Sequence, residues 1–213
     1  MIRHIITAIA LLATVSAHAE PVTLETPQGK LLGDMSDGKV RAFKGIPFAI
    51  PPVGNWRWRP AEPALGWKGV RLATRFNQSC PQPGYPEGSF FASPNEPTSE
   101  DCLYLNVWSA SSDDDKLPVM VWIHGGGLTR GSGSTGWYDG TALARKGVVV
   151  GTINYRLGIF GYFTHPELSK ESPHNASGNY GTSDQVMALR WVRDNTSAFG
   201  GDPGNVTIFG ESA

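Results

Sequence analysis

The C-terminal stretch, residues 199–213, constrains the fold of this 213-residue chain more than any other part of it. Residues 205–209 alternate polar and apolar side chains and are rich in β-branched residues, which is typical of a β-strand. The strand runs directly into Gly210, Glu211, Ser212 and Ala213. A serine in a sharp turn after a strand is the arrangement of a nucleophile elbow, Gly-x-Ser-x-Gly, whose glycines allow a strained backbone. The sequence therefore predicts an elbow with Ser212 as candidate nucleophile, and it stops before the second glycine.

The tripeptide Gly210-Glu211-Ser212 by itself is weak evidence for an elbow, since a chain with 26 glycines can contain a Gly-x-Ser sequence by chance. The surrounding pattern supports the motif, because predicted strands and helices alternate. The strands are residues 103–108, 119–124, 148–154 and 205–209, a short helix is residues 138–146, and an amphipathic helix is residues 184–198. In that helix Val186, Leu189 and Val192 form the apolar stripe. This alternation predicts a parallel α/β sheet in the second half of the chain.

The other segments are predicted to be short strands and loops within one folding unit. Residues 22–44 read as two or three short strands that cap a sheet, and residues 45–60 contain too many prolines for a helix. Residues 77–99 form a long loop rich in proline, glycine, serine and asparagine, and residues 156–180 read as irregular.

The first nineteen residues have the pattern of a secretory signal peptide. Arg3 precedes a short apolar run, and residues 17–19 offer a small-x-small cleavage site, so the mature chain would begin at Glu20. A membrane anchor is the alternative, but the apolar run is too short to span a bilayer. The predicted location is secreted or periplasmic. In such an oxidising compartment Cys80 and Cys102 favour a disulfide over two separate buried thiols.

The charged residues indicate an ordinary solvated surface. The 18 lysines and arginines and the 19 aspartates and glutamates are interspersed without a run. Because charges of one sign are not concentrated in any stretch, we expect no binding to nucleic acid or to anionic lipid. We also expect no membrane attachment after leader cleavage. No cofactor or metal is implied.

A second chemical stretch, His124-Gly125-Gly126-Gly127, follows the predicted strand of residues 119–124. Three consecutive glycines cost chain entropy and pack nothing, so they are tolerated where a backbone must approach a ligand with its N–H groups free. A flexible linker is the alternative. With a predicted elbow in the same chain and in the right order, the stretch indicates an oxyanion loop, completed by the N–H of Ala213.

Several long motifs resemble the type-B carboxylesterase/cholinesterase family of the α/β-hydrolase fold. They cover residues 45–54, 100–106, 154–158, 178–181, 184–185 and 199–213, so the resemblance extends over essentially the whole mature chain. It implies an α/β fold in which residues 20–213 form the N-terminal half of a mostly parallel central sheet, truncated at the elbow.

The resemblance also implies roles for individual residues. Ser212 matches the nucleophile and Glu211 the glutamate of the elbow, beside Gly210. The oxyanion-hole positions are matched by Gly126, Gly127 and Ala213. Cys80 and Cys102 match the first disulfide of the family, while Arg57 with Glu100 and Arg156 with Asp184 match two ion pairs that brace the fold.

Four positions depart from the family pattern. Ala92 stands where cholinesterases have the tryptophan that holds the choline cation, so a choline ester is not the expected substrate. Leu128 replaces an aromatic residue after the three glycines, which would reshape the acyl site. Thr182 and Ser183 replace two apolar residues, which we interpret as local packing.

The implied function is hydrolysis of a small carboxylic ester through a serine nucleophile and an acyl-enzyme. The catalytic acid and histidine of the family follow the serine in the order Ser, Asp/Glu, His, and this chain reaches neither. We therefore expect an N-terminal fragment of a secreted ester hydrolase that is inactive by itself. The alternative is a non-catalytic interaction or adhesion domain of the same fold. The ester, and the oligomeric state, are not specified by the sequence.

Overall fold

The computed structural model describes residues 20–86, 88–89, 97–110 and 115–213. The strands are β1 (Pro21–Thr26), β2 (Gly29–Ser36), β3 (Val40–Pro47), β4 (Val70–Leu72), β5 (Tyr104–Ser109), β6 (Leu117–Ile123), β7 (Val149–Ile153) and β8 (Gly201–Gly210). The helices are α1 (Thr141–Ala144), α2 (Gly158–Tyr162), α3 (Pro166–Glu171) and α4 (Tyr180–Asn195), with short 3₁₀ turns at Gly54–Trp56, Gly136–Tyr138 and Thr196–Phe199. The predicted leader, residues 1–19, lies outside the described residues, and so does Ala92.

All eight strands belong to one mixed sheet, in the order β1-β2-β3-β5-β7-β6-β8, with β4 paired to β2. From β1 to β7 the neighbours along this order are antiparallel, whereas β6 is parallel to both β7 and β8. The predicted parallel sheet is therefore confirmed for the second half of the chain. The N-terminal strands differ from the prediction, because they extend the same sheet instead of capping it. Their connections are too short for anything but antiparallel hairpins.

The central strands are buried on both faces, as their apolar sequences predict. Every residue of β5 and β7 is buried. Helix α4 covers this region with Met187, Ala188, Trp191 and Val192, all of which are buried. The predicted stripe is confirmed at Val192, which is buried, and at Leu189, which packs against the core, but it is wrong at Val186, which is 45% exposed.

The prediction of irregular structure for residues 156–180 is wrong, because α2 and α3 lie there and α4 begins at Tyr180. Helices of five and six residues are too short to show a helical period in the sequence. Helix α3 is instead specified by its start, where Pro166 follows His165, whose side chain accepts a hydrogen bond from the N–H of Glu167.

The outer edge of the sheet next to the predicted elbow is β8, which pairs with β6 on its other side. Its Ile208 side chain is 57% exposed. Among the helices that the structure describes, none is long and apolar enough to cross a membrane.

Candidate active site

The site lies where two neighbouring parallel strands end. Strands β6 and β8 run side by side with Ile123 opposite Gly210, so the residues that follow them meet at one edge of the sheet. After β6 comes the oxyanion loop, which we define as residues 124–128, and after β8 come Glu211, Ser212 and Ala213. The sheet topology thus brings together two motifs that are far apart in the sequence.

Glycine at two of these positions allows the strand ends to approach closely. A Cβ atom added to Gly210 would lie 2.4 Å from the carbonyl oxygen of Ile123. One added to Gly125 would lie 2.3 Å from the carbonyl oxygen of Glu211 and 3.0 Å from Cβ of Ser212. Any larger residue would push the oxyanion loop away from Ser212.

The turn at Ser212 has the strained backbone that an elbow requires. Its φ of 58° lies in the left-handed region, which non-glycine residues rarely adopt. Gly126, Gly127 and Leu128 also have positive φ, of 122°, 63° and 59°. The N–H of Leu128 donates to the carbonyl oxygen of Ala213 at 3.0 Å. The predicted oxyanion-hole residues therefore lie beside the predicted nucleophile.

A cleft of about 500 Å³ opens at this edge, and Ser212 lies in its wall. Apolar side chains of Leu128, Ile208 and Phe209 line it together with polar groups of Tyr162 and Gln185. Polar and apolar atoms contribute about equally to its lining. A concave site in which a few polar groups converge beside apolar walls is a typical place for a small molecule to bind.

His124 is buried at the base of the oxyanion loop and is electrically neutral at physiological pH. Its ring stacks on Tyr155 at 4.4 Å between centroids, and Nδ1 lies 2.9 Å from the carbonyl oxygen of Gly125. Burial lowers the pKa of His124 to about 4, a shift that the bond to Gly125 partly opposes. The hydroxyl of Tyr155 donates to the carbonyl oxygen of His124 at 2.7 Å, and burial raises the pKa of Tyr155, so it stays protonated.

The described histidines do not include a base for Ser212. Nε2 of His124 has no hydrogen-bond partner among the described residues. His165 caps α3, and His174 lines a separate cavity beside Trp58. Over the described ranges, no group of three or more His, Cys, Asp or Glu side chains could hold a metal ion.

The residues of the predicted disulfide and ion pairs do not line the cleft, and they join segments of the fold. Cys80 and Cys102 form a disulfide. Arg57 makes two hydrogen bonds of 2.5 Å to the half-buried carboxylate of Glu100.

The second predicted ion pair is fully buried. The side chains of Arg156 and Asp184 are 2% and 0% exposed, and Nη2 lies 2.6 Å from Oδ1. The guanidinium and the backbone N–H of Arg156 both donate to Asp184. Burial raises the pKa of Asp184, while the hydrogen bonds and charge of Arg156 act against that shift.

Sequence reasoning did not assign four residues that line the cleft, Tyr155, Tyr162, Thr182 and Gln185, and it interpreted Thr182 as local packing. A signal for Tyr155 was available, since it comes two residues after β7, the parallel neighbour of β6, and therefore reaches the same sheet edge. Tyr162 and Gln185 had no such signal, because helices α2 and α4 bring them to the cleft.

Comparisons with known proteins identify the family of the chain. Residues 20–213 match the family model of the carboxylesterase family. The chain is 50% identical over 215 residues to the fumonisin B1 esterase of Sphingopyxis macrogoltabida, covering 97% of this chain and 39% of that protein. It is 50% identical over 190 residues to the para-nitrobenzyl esterase of Bacillus subtilis, covering 88% of this chain and 37% of the relative.

Solved structures of such esterases have the same fold. One para-nitrobenzyl (PNB) esterase structure superposes with a TM-score of 0.80 at 46% identity, covering 89% of this chain and 38% of that one. A carboxylesterase of Geobacillus stearothermophilus gives 0.78 at 49% identity, covering 88% and 37%. The chain thus spans less than two fifths of the length of these relatives. It belongs to the carboxylesterase family and has the α/β-hydrolase fold.

Proposed function

We propose that this chain supplies the nucleophile and the oxyanion hole of a serine carboxylesterase that acts on small carboxylic esters. The observation that carries the proposal is the meeting of Ser212, in a left-handed turn, with the glycines of the oxyanion loop at one sheet edge. Family membership and the names of the relatives support the reaction class.

The reaction proceeds in two steps. Oγ of Ser212 attacks the ester carbonyl carbon and loses its proton to a base, and the N–H groups of Gly126, Gly127 and Ala213 stabilise the oxyanion. The intermediate then expels the alcohol, which takes up a proton, and leaves an acyl-enzyme. Water attacks the acyl carbon, releases the carboxylic acid and restores the serine hydroxyl. No step requires a metal or an organic cofactor.

The first step needs a base, and none of the described histidines has a hydrogen bond to Ser212. We place the base and its acidic partner in sequence beyond Ala213, in the order that the family uses. Residues 20–213 alone would therefore retain only what the oxyanion hole and binding contribute, which is weak catalysis.

The test is labelling of the full-length protein with a fluorophosphonate, followed by peptide mass spectrometry. We expect a single adduct at Ser212, abolished in Ser212→Ala together with hydrolysis of a p-nitrophenyl ester. A folded protein without an adduct would contradict the esterase and favour the non-catalytic interaction domain, which needs no reactive serine.

We further propose that the protein is exported and that residues 1–19 are removed. The disulfide supports this location, since such bonds persist in oxidising compartments. N-terminal sequencing of the protein from its native host should begin at Glu20. A retained Met1 would contradict cleavage.

A further inference from the structure

The side chain of Gln82 holds the backbone of Gly131 on both sides. Its Nε2 donates to the carbonyl oxygen of Gly131 at 2.8 Å, and the N–H of Gly131 donates to Oε1 at 2.7 Å. Nε2 also donates to the carbonyl oxygen of Cys80 at 3.1 Å. Only one orientation of the amide satisfies two carbonyl acceptors and one N–H donor, so the assignment of its oxygen and nitrogen is unambiguous.

Gly131 in turn lies directly against the oxyanion loop. A Cβ atom on Gly131 would lie 2.3 Å from the carbonyl oxygen of Gly125 and 2.4 Å from Nδ1 of His124. The carbonyl oxygen of Gly126 accepts hydrogen bonds from the N–H groups of Thr129 and Arg130, the two residues just before Gly131. A movement of Gly131 is therefore transmitted to the peptide groups of Gly125 and Gly126.

The segment that carries Gln82 is itself anchored. The disulfide fixes Cys80 to Cys102, and the hydroxyl of Ser79 donates to the hydroxyl of Ser132 at 2.8 Å. Ser79 and Cys80 are 3% and 1% exposed. Gln82 thus connects a fixed, buried segment to the rear of the oxyanion loop.

We propose that Gln82 is a positioning residue for the oxyanion hole, an inference that rests on the proposed function. By holding Gly131, it keeps the N–H groups of Gly126 and Gly127 at the place where the oxyanion forms. Hydrogen bonds to that oxygen gain strength mainly in the transition state, and small displacements of the donors weaken them. Loss of the Gln82 amide therefore lowers kcat more than it changes KM.

The experiment compares two variants of Gln82 in the full-length protein, one apolar and one acidic, each with a side chain of similar length. Gln82→Met removes all three hydrogen bonds, and Gln82→Glu keeps an acceptor for Gly131 but removes both donated bonds. Gln78→Met is the matched control, because Gln78 lies in the same segment with an exposed side chain. Rates are measured per active site, titrated with a fluorophosphonate, and the affinity for a trifluoromethyl ketone transition-state analogue is measured in parallel.

We expect kcat to fall about tenfold or more in both Gln82 variants, with KM within about twofold of the wild-type value. The affinity for the trifluoromethyl ketone should fall by the same factor as kcat/KM, and the Gln78 control should match the wild type. A wild-type kcat in Gln82→Met, an increase in KM alone, or an equal loss in the control would each overturn the proposal.

Hydrogen exchange separates this inference from the proposed function, because it needs no activity. In Gln82→Met the amides of residues 126–130 should exchange faster than in the wild type, while those of β5 keep their protection. Unchanged exchange in residues 126–130 would overturn the positioning role. Absence of a Ser212 adduct in the wild type would overturn the proposed function, whatever the exchange shows.

Discussion

Gly126 and Gly127 follow one another in the oxyanion loop, but their surroundings differ. A Cβ atom on Gly126 would lie 2.1 Å from the carbonyl oxygen of Arg130, whereas one on Gly127 meets no atom of the described residues within 4 Å. Both have a positive φ, which L-residues adopt only at a cost. The sequence shows three equivalent glycines, and only the structure distinguishes them.

We expect Gly126→Ala to reduce kcat far more than Gly127→Ala. The first substitution forces the loop away from Arg130 and misplaces its N–H groups, for a loss on the order of 100-fold. The second adds backbone strain of about 1 kcal/mol in an open space, with a loss below about tenfold. Steady-state kinetics of the two variants measure kcat for each. An equal loss of kcat in both would contradict the expectation that only Gly126 is closely packed.

The buried His124 makes stability depend on pH. Its pKa is lowered from 6.5 to about 4, so between these values the unfolded chain binds a proton that the folded protein does not. The stability that the neutral ring contributes is complete above pH 6.5 and is lost as the pH falls towards 4.

We therefore expect the free energy of unfolding to fall by about 2 kcal/mol between pH 7 and pH 5 because of this residue alone. Urea denaturation of the full-length protein at both values measures the change. His124→Gln should be less stable at pH 7 but should show a smaller difference between the two pH values. The same pH difference in both proteins would assign the effect to other groups.

At the scale of elements, the buried ion pair of Arg156 and Asp184 holds helix α4 against the sheet. Arg156 follows β7 and Asp184 lies in the first turns of α4, so their bonds join a strand end to the helix that covers the sheet. A buried pair contributes little net stability, but removing one partner leaves a buried charge without compensation.

Asp184→Asn should lower the free energy of unfolding by about 3–5 kcal/mol, because the positive charge of Arg156 stays buried. Glu100→Gln in the half-exposed pair with Arg57 should cost much less, since water screens that pair. Urea unfolding of both variants gives the comparison. A double-mutant cycle without coupling between Arg156 and Asp184 would remove their bracing role.

At the scale of the whole molecule, the most consequential feature is the edge of β8 that no other strand of the described residues pairs with. A long strand with unpaired backbone groups and exposed apolar side chains such as Ile208 is a template for association. The same strand carries Ser212 at its end, so an unsupported β8 leaves the elbow unsupported as well.

The polypeptide of residues 20–213, produced alone, should self-associate, bind ANS and hydrolyse a p-nitrophenyl ester no faster than its Ser212→Ala variant does. Size-exclusion chromatography, dye fluorescence and a rate assay check the three expectations. A monomer with cooperative unfolding and with turnover that is lost in Ser212→Ala would show that these residues are sufficient, contrary to the proposal.

The sequence by itself determined the family and the α/β-hydrolase fold. It also predicted the strands that flank the two motifs, since apolar strands and glycine-rich turns are local patterns. The mixed sheet, the short helices α2 and α3 and the buried face of α4 were decided by tertiary packing, because short elements carry no readable period. Tertiary structure alone also brought Tyr155 to His124 and Gln82 to Gly131, since the pairing of residues distant in sequence depends on strand order and not on local propensity.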